Sequence, residues 1–173
     1  PRFQIVFGVE RADDPAVAVV DQVRRTFPAV DIVLSIGEEA GANRKIANLR
    51  HMIRHARHNV LVMSDGDIRV RPDYLRAMVA PLADPAVGLT TTLYRGVARL
   101  GLPSEIEALV INTDFMPMVL TAQVVQRFEY AYGASIAFRR QGLDAIGGFA
   151  AIANYLADDY QLGNRIARAG YGL

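Results

Sequence analysis

Asn59-Val60-Leu61-Val62-Met63-Ser64-Asp65-Gly66-Asp67 decides the reading of this chain: a short apolar run that ends abruptly in two carboxylates one glycine apart. Val60 to Met63 reads as a buried strand of a parallel sheet. Asp65 and Asp67 then fall where that strand leaves the sheet, and open α/β sheets bind ligands at the carboxyl ends of their strands. Two acids this close repel each other and gain nothing from burial, so a cation or a cationic ligand is the economical partner. The pair points to a divalent metal holding a phosphorylated substrate. A polar strand-to-turn junction, with Asp and Gly serving turn geometry alone, is the alternative these nine residues leave open.

Upstream, residues 3–9 read as a first strand, β-branched and aromatic. Asp14-Pro15 opens a helix, with Asp at the N-cap and Pro at the first helical position. Val19, Val20 and Val23 keep helical spacing through residues 15–27, Arg24 and Arg25 suit the negative end of the helix dipole, and Pro28 stops the run. Residues 31–36 read as a second strand and residues 37–41 as a polar turn. This rhythm predicts an α/β fold with a mostly parallel central sheet and right-handed crossovers.

Residues 43–58 read as a basic helix with Ile46, Leu49, Ile53 and Ala56 as its apolar stripe. Arg44, Arg50, Arg54 and Arg57 read as its solvated face. Lys45 differs, because it lies in the first turn beside a glycine loop, placed to meet an anion. His51, His55 and His58 include an i, i+4 pair that suits zinc, but the surrounding arginines oppose a cation, and no zinc site is assigned there.

Downstream, a helix is expected over residues 73–82, a strand over 87–93 and a loop over 96–103. Ser104 with Glu107 reads as a capping box opening the apolar segment 104–125. Asn112, Asp114 and Pro117 interrupt that segment, so a transmembrane helix is rejected. Two readings remain: a buried helix pair, which is favoured, or a greasy surface that dips into a bilayer or contacts a lipid substrate. Residues 132–138 read as a small-residue strand that lets something bulky approach. A short helix over 139–146 closes on Gly147-Gly148, and a last helix opens at Asp158-Asp159 and runs to about Ala169.

The 173 residues suffice for one domain with a sizeable core. A net charge of +1 gives no electrostatic case for nucleic acid. The hydrophobic fraction of 51% and mean hydropathy of +0.15 are rich for a freely soluble domain. With no cysteine, disulfides, thiolate metal sites and a cysteine nucleophile are excluded. No signal-peptide pattern is visible, and both ends read as cuts, so a longer protein is expected.

Four features line up at one rim of such a sheet: Asp14, Gly41-Ala42-Asn43-Arg44-Lys45, Asp65-Gly66-Asp67 and Asp158-Asp159. In that order they resemble a nucleotide-sugar glycosyltransferase of the GT-A type, a Rossmann-like three-layer sandwich. Asp13-Asp14-Pro15-Ala16, Asn43-x-Lys45-x-x-Asn48-Leu49, Asp65-x-Asp67-Ile68-Arg69-Val70, Gly147-Gly148-Phe149 and Leu156-Ala157-Asp158-Asp159-Tyr160 are similar to the ceramide glucosyltransferase family, nearest its bacterial hopanoid-associated members. The resemblance covers nearly the whole chain.

It implies a single catalytic domain over residues 1–173, membrane-associated and on the cytoplasmic side. It further implies an inverting transfer of glucose or N-acetylglucosamine from a UDP-sugar to a lipid hydroxyl, on ceramide or a hopanoid. On this resemblance Asp14 sits near the uracil or ribose, and Asn43 and Lys45 meet the nucleotide. Asp65 and Asp67 hold Mg²⁺ or Mn²⁺ against the diphosphate, and Asp159 is the catalytic base. One departure stands out: the family's later Gln/Arg-x-x-Arg-Trp motif is missing, and the chain contains no tryptophan. A processive polysaccharide transferase and a non-catalytic nucleotide-binding module are the alternative readings.

Overall fold

β1 (Gln4–Val9) and β2 (Asp31–Ile36) pair in parallel, from Gln4 opposite Asp31 to Val9 opposite Ile36. They are joined by α1 (Pro15–Thr26), whose N-cap Asp14 accepts the Ala16 N–H at 2.8 Å, as the Asp-Pro signal predicts. This computed structural model describes residues 3–37, 41–125 and 129–173. The turn expected over 37–41 therefore lies mostly outside the described residues.

α2 (Arg44–Met52) starts on Asn43, whose side-chain oxygen accepts the Ile46 N–H at 3.1 Å. It stops well short of His58. The physical reason lies beyond Ile53: the Arg57 N–H donates to Gln4 Oε1 at 3.1 Å and its guanidinium pairs with Asp31 at 2.6 Å. Those contacts draw the chain back along β1 and β2, and the helical ladder is given up.

The strand that carries Asp65 corrects the expectation of a mostly parallel sheet. β3 (Val60–Ser64) and β4 (Leu89–Thr91) both pair antiparallel with β5 (Ser135–Arg139), which lies between them. β3 is exposed at Val60 and buried only at Met63, whereas β5 is buried from Ser135 to Phe138. Ile136 and Phe138 face a core with Ile46, Ile152, Leu162 and Ile166, and Ala137 faces Met78 and Leu82 on the other side. Each fully buried aliphatic side chain contributes about 1.5–3 kcal/mol, so the domain is organised around β5. Its small residues suit a strand covered on both faces.

α3 (Tyr74–Val79) supplies Met78 to the second core. The apolar segment forms one continuous helical rod, α4 (Gly101–Val110), a π-helical turn (Ile111–Phe115) and α5 (Met116–Val125). Two expectations fail here. Ser104 is not the N-cap: it lies within the first turn, and its hydroxyl bonds back to the Leu100 and Gly101 carbonyls. Nor is the segment buried: no α4 residue is buried, and only Met116 and Val119 of α5 are. The polar interruptions do not break the rod, which is long and apolar enough to cross a membrane. Pro117 explains the π turn. It has no N–H and its ring crowds the carbonyl four residues back, so the ladder slips and the Met116 N–H bonds to the Ile111 carbonyl.

α6 (Arg140–Ala145) ends as predicted on Gly147 (φ +87°) and Gly148 (φ +69°), the Gly148 N–H reaching the Leu143 carbonyl at 2.9 Å. α7 (Asp158–Arg168) buries Leu162, Gly163 and Ile166. A Cβ on Gly163 would lie 2.1 Å from the Ala131 backbone nitrogen, so α7 rests directly on the chain that leads into β5. That contact fixes where the acids at its first turn point.

Candidate active site

Two helix starts meet at Asn43. While its oxygen caps α2, its amide nitrogen donates to the Tyr155 carbonyl at 2.8 Å and to Asp158 Oδ1 at 3.3 Å. Its own N–H donates to the Ala153 carbonyl at 3.1 Å. The Arg165 guanidinium over the Tyr155 ring, 5.4 Å from its centre, holds the same loop to α7. One amide thus sets the first turns of α2 and α7 against each other.

Lys45 occupies the junction. Its ammonium lies 3.3 Å from Asp65 Oδ1, 3.3 Å from Asp158 Oδ2 and 3.3 Å from Asp159 Oδ1. Asp158 is only 8% exposed, and its Oδ2, though at ion-pair distance from Lys45, is buried without a hydrogen bond. Its charge is met by the ammonium through space and by Asn43 through Oδ1. Asp65 is placed by its own N–H, which donates to the Ala134 carbonyl at 3.0 Å.

Three carboxylates face one ammonium, and the imbalance appears in the acidity of Asp159. Burial, with the charges of Asp158 and Asp65 added, pushes Asp159 up from 3.8 to about 6 despite the opposing pull of Lys45. Burial works against the charge on Lys45, but Asp159, Asp158 and Asp65 together overcome it and raise its pKa. Asp159 is therefore a carboxylate that ionises just below neutrality, which is what a general base needs.

The structure brings Asn43, Lys45, Asp65 and Asp159 together, as the sequence suggested, and adds Asp158 to the cluster. No described hydrogen bond or ion pair joins Asp14 or Asp67 to it: Asp14 caps α1 and Asp67 is exposed. His51 has a structural task, its Nδ1 2.6 Å from Ser35 Oγ and its ring packed where a Cβ on Gly37 would be. Asn48 likewise ties α2 to β1 by donating to the Gly8 carbonyl at 3.1 Å.

Sequence reasoning missed two residues. Glu10, at the end of β1, is hydrogen-bonded to Arg44, which holds its carboxyl below the usual range. Tyr94 packs on Phe115, ring centres 6.0 Å apart, and against Gly133, whose missing side chain leaves room for its ring. Burial and then the charges of Asp159 and Asp65 push its phenol up. Tyr94 had no local signal, since it reaches the site only through the antiparallel placement of β4 beside β5.

Among the described residues no group of three or more His, Asp or Glu side chains is placed to hold a metal ion. Asp65 and Asp67 offer two exposed carboxylates on either side of Gly66, where a Cβ would meet nothing. Hard oxygens, two protein ligands and open space fit Mg²⁺, which keeps waters and takes substrate phosphates for the remaining positions.

The site is thus a set of acids and a lysine gathered at strand and helix ends of a mixed α/β domain. Residues 1–173 match the family model Glycosyl transferase family 21, and the chain belongs to that family. It is 28% identical over 172 residues to ceramide glucosyltransferase 3 of Caenorhabditis elegans, covering 98% of this chain and 37% of that protein. It is 25% identical over 170 residues to ceramide glucosyltransferase 1 of the same organism, covering 97% of this chain and 36% of that protein. The chain thus spans little more than a third of these relatives.

Proposed function

We propose that this chain is the catalytic domain of an inverting, GT-A-type glycosyltransferase that moves glucose or N-acetylglucosamine from a UDP-sugar to the hydroxyl of a membrane lipid such as ceramide or a hopanoid. The observation that carries it is Lys45 held 3.3 Å from each of three carboxylates, one of them an acid raised to about 6. Family membership and the names of the relatives support the reaction class and the lipid acceptor. The exposed apolar rod supports a membrane setting. The active face is proposed to be cytoplasmic.

In this reading Asp159 accepts the proton of the acceptor hydroxyl, whose oxygen attacks the anomeric carbon opposite the departing diphosphate. One displacement inverts the anomeric centre. Lys45 keeps Asp159 ionised and oriented, and Asn43 fixes the helix start from which Lys45 projects. Asp158 holds the cluster in place and takes no proton. Asp14 reaches the uracil or ribose. Asp65 and Asp67 would hold Mg²⁺ or Mn²⁺, which when bound neutralises the diphosphate oxygens as a Lewis acid.

Asp159→Asn tests the reading. Transfer from a panel of UDP-sugars to lipid acceptors is expected to fall by about 10²–10⁴-fold, the usual worth of a general base, with UDP binding by calorimetry retained. Loss of nucleotide binding together with transfer would overturn the base assignment.

A further inference from the structure

The apolar rod does not leave the domain alone. Residues 92–100 run on from β4 without helix or strand, and α4 and α5 bring the chain back. The two legs are stapled by Asn112: its Oδ1 accepts the Gly96 N–H at 3.0 Å and its Nδ2 donates to the Gly96 carbonyl at 3.0 Å. A Cβ on Gly96 would lie 2.6 Å from Ala108 Cα, so only glycine lets the legs touch there. At the base of the hairpin Tyr94 meets Phe115 and Gln123 donates to the Tyr132 hydroxyl at 3.1 Å. The Asn112 amide thus satisfies both backbone groups of Gly96, as a neighbouring strand would. It is the π turn that carries Asn112.

Leu100, Leu102, Ile106, Leu109 and Val110 at the outer end are all exposed, Leu100 to 87%. Around α5 apolar side chains point both ways: Met116 and Val119 into the domain, Met118, Leu120, Val124 and Val125 outward. A protein groove covers one stripe of a helix, whereas a helix apolar on opposite sides needs an apolar solvent. Depth is limited by the other leg. Irregular backbone facing lipid does not occur within hydrocarbon, and Arg95, Arg99, Glu105, Glu107 and Asp114 are exposed and need water or headgroups.

We propose that residues 92–125 form a hairpin that enters the headgroup–acyl boundary of one leaflet without crossing the bilayer, and that it brings the lipid hydroxyl to Asp159 past Tyr94. This rests on the lipid-acceptor reading and adds to it the element that meets the membrane and the depth it reaches. The boundary position allows an insertion of about 5–10 Å, far less than the ~30 Å hydrocarbon core. Tyr94, half-buried and packed on Phe115 of the hairpin, has its phenol raised by burial and then by the charges of Asp159 and Asp65, which agrees with a ring lying between hairpin and base.

The chain has no tryptophan, so one placed at Leu102 is a clean depth probe. With vesicles of phosphatidylcholine and phosphatidylserine, Leu102→Trp is expected to shift its emission to the blue. Lipids brominated near the ester should quench it several-fold more than lipids brominated at the chain end. Equal or stronger quenching from the chain end would mean a span, and no vesicle-dependent shift would mean a surface for something other than lipid; either overturns the proposal. The Leu100→Asp, Leu102→Asp double variant, altered only at exposed positions, separates this inference from the function beneath it. It is expected to lose at least 10-fold in transfer to long-chain ceramide in vesicles while keeping transfer to a water-dispersible short-chain ceramide. Equal transfer to both acceptors, unchanged from the parent, overturns the hairpin; failure of the parent on both overturns the lipid-acceptor reading.

Discussion

The Lys45 ammonium and Asp159 Oδ1 lie 3.3 Å apart across 114 positions of sequence, joining the first turn of α2 to the first turn of α7. The dipole of α2 opposes this contact, since a lysine in a first turn is on the unfavourable end, while the dipole of α7 favours an acid in its own first turn. The carboxylates of α7 and of the β3 turn make it favourable. Lys45 is thus placed for its partners and against its own helix.

Activity is expected to follow the ionisation of Asp159. The rate should climb with pH through about 6 and level off above. Lys45→Met removes the charge that favours the carboxylate and should move that limb to higher pH. Asp158→Asn removes a charge that opposes it and should move the limb lower. Profiles of kcat/KM against pH for the three proteins check both directions.

Stability should carry the same signature. The folded pKa of Asp159, about 6, exceeds its ordinary 3.8, so the folded state binds the proton more tightly. Its contribution is full below 3.8 and is lost as pH rises through about 6. Lys45 is also raised in the folded state, so its contribution is full below 10.5 and is lost as pH rises through its folded pKa. Urea midpoints from pH 4 to pH 7 for the parent and Asp159→Asn should converge at the acid end and diverge at the neutral end, with the variant the more stable.

Asn43→Ala removes a helix cap and the link to the Tyr155 carbonyl together. A loss of about 1–2 kcal/mol is expected from the cap alone, measured by urea unfolding. Asn43→Asp should keep the cap but set a new carboxylate beside Asp158, and transfer should fall further than stability does.

Gly163→Ala drives a methyl into the Ala131 backbone, which cannot step aside as a side chain could. A destabilisation of about 1–3 kcal/mol or more is expected. Because α7 carries Asp158 and Asp159, kcat should drop even in the fraction that folds.

Removal of divalent metal by EDTA should weaken calorimetric UDP binding at least 10-fold in the parent. Asp65→Asn should bind UDP equally weakly with and without Mn²⁺. Unchanged, metal-dependent binding in that variant would remove Asp65 from the diphosphate site.

Local chemistry was legible in the sequence wherever it acts over a few residues. The Asp14 cap, the Gly147-Gly148 stop and the acid pair opening α7 are all such features. Pairing direction was not, because a run such as Val60–Met63 reads alike in a parallel strand and in one paired antiparallel with β5. The apolar rod was misread for a related reason: hydropathy reports what a segment avoids, not what covers it. The ion pair of Asp158 with Lys45 was not legible either, because it joins residues far apart in sequence. Tyr94 lay beyond any local rule.

β4 and β5 are hydrogen-bonded neighbours, with Thr91 opposite Ile136. Everything between them, the hairpin included, leaves the sheet and returns to it at adjacent points. The excursion can therefore be lengthened, shortened or replaced without shifting the register of any strand. Lys45, Asp65 and Asp159 all lie outside it, so the excursion can diverge while the acid–lysine cluster stays fixed. A chain built this way can change what the excursion meets without rebuilding the sheet beneath it.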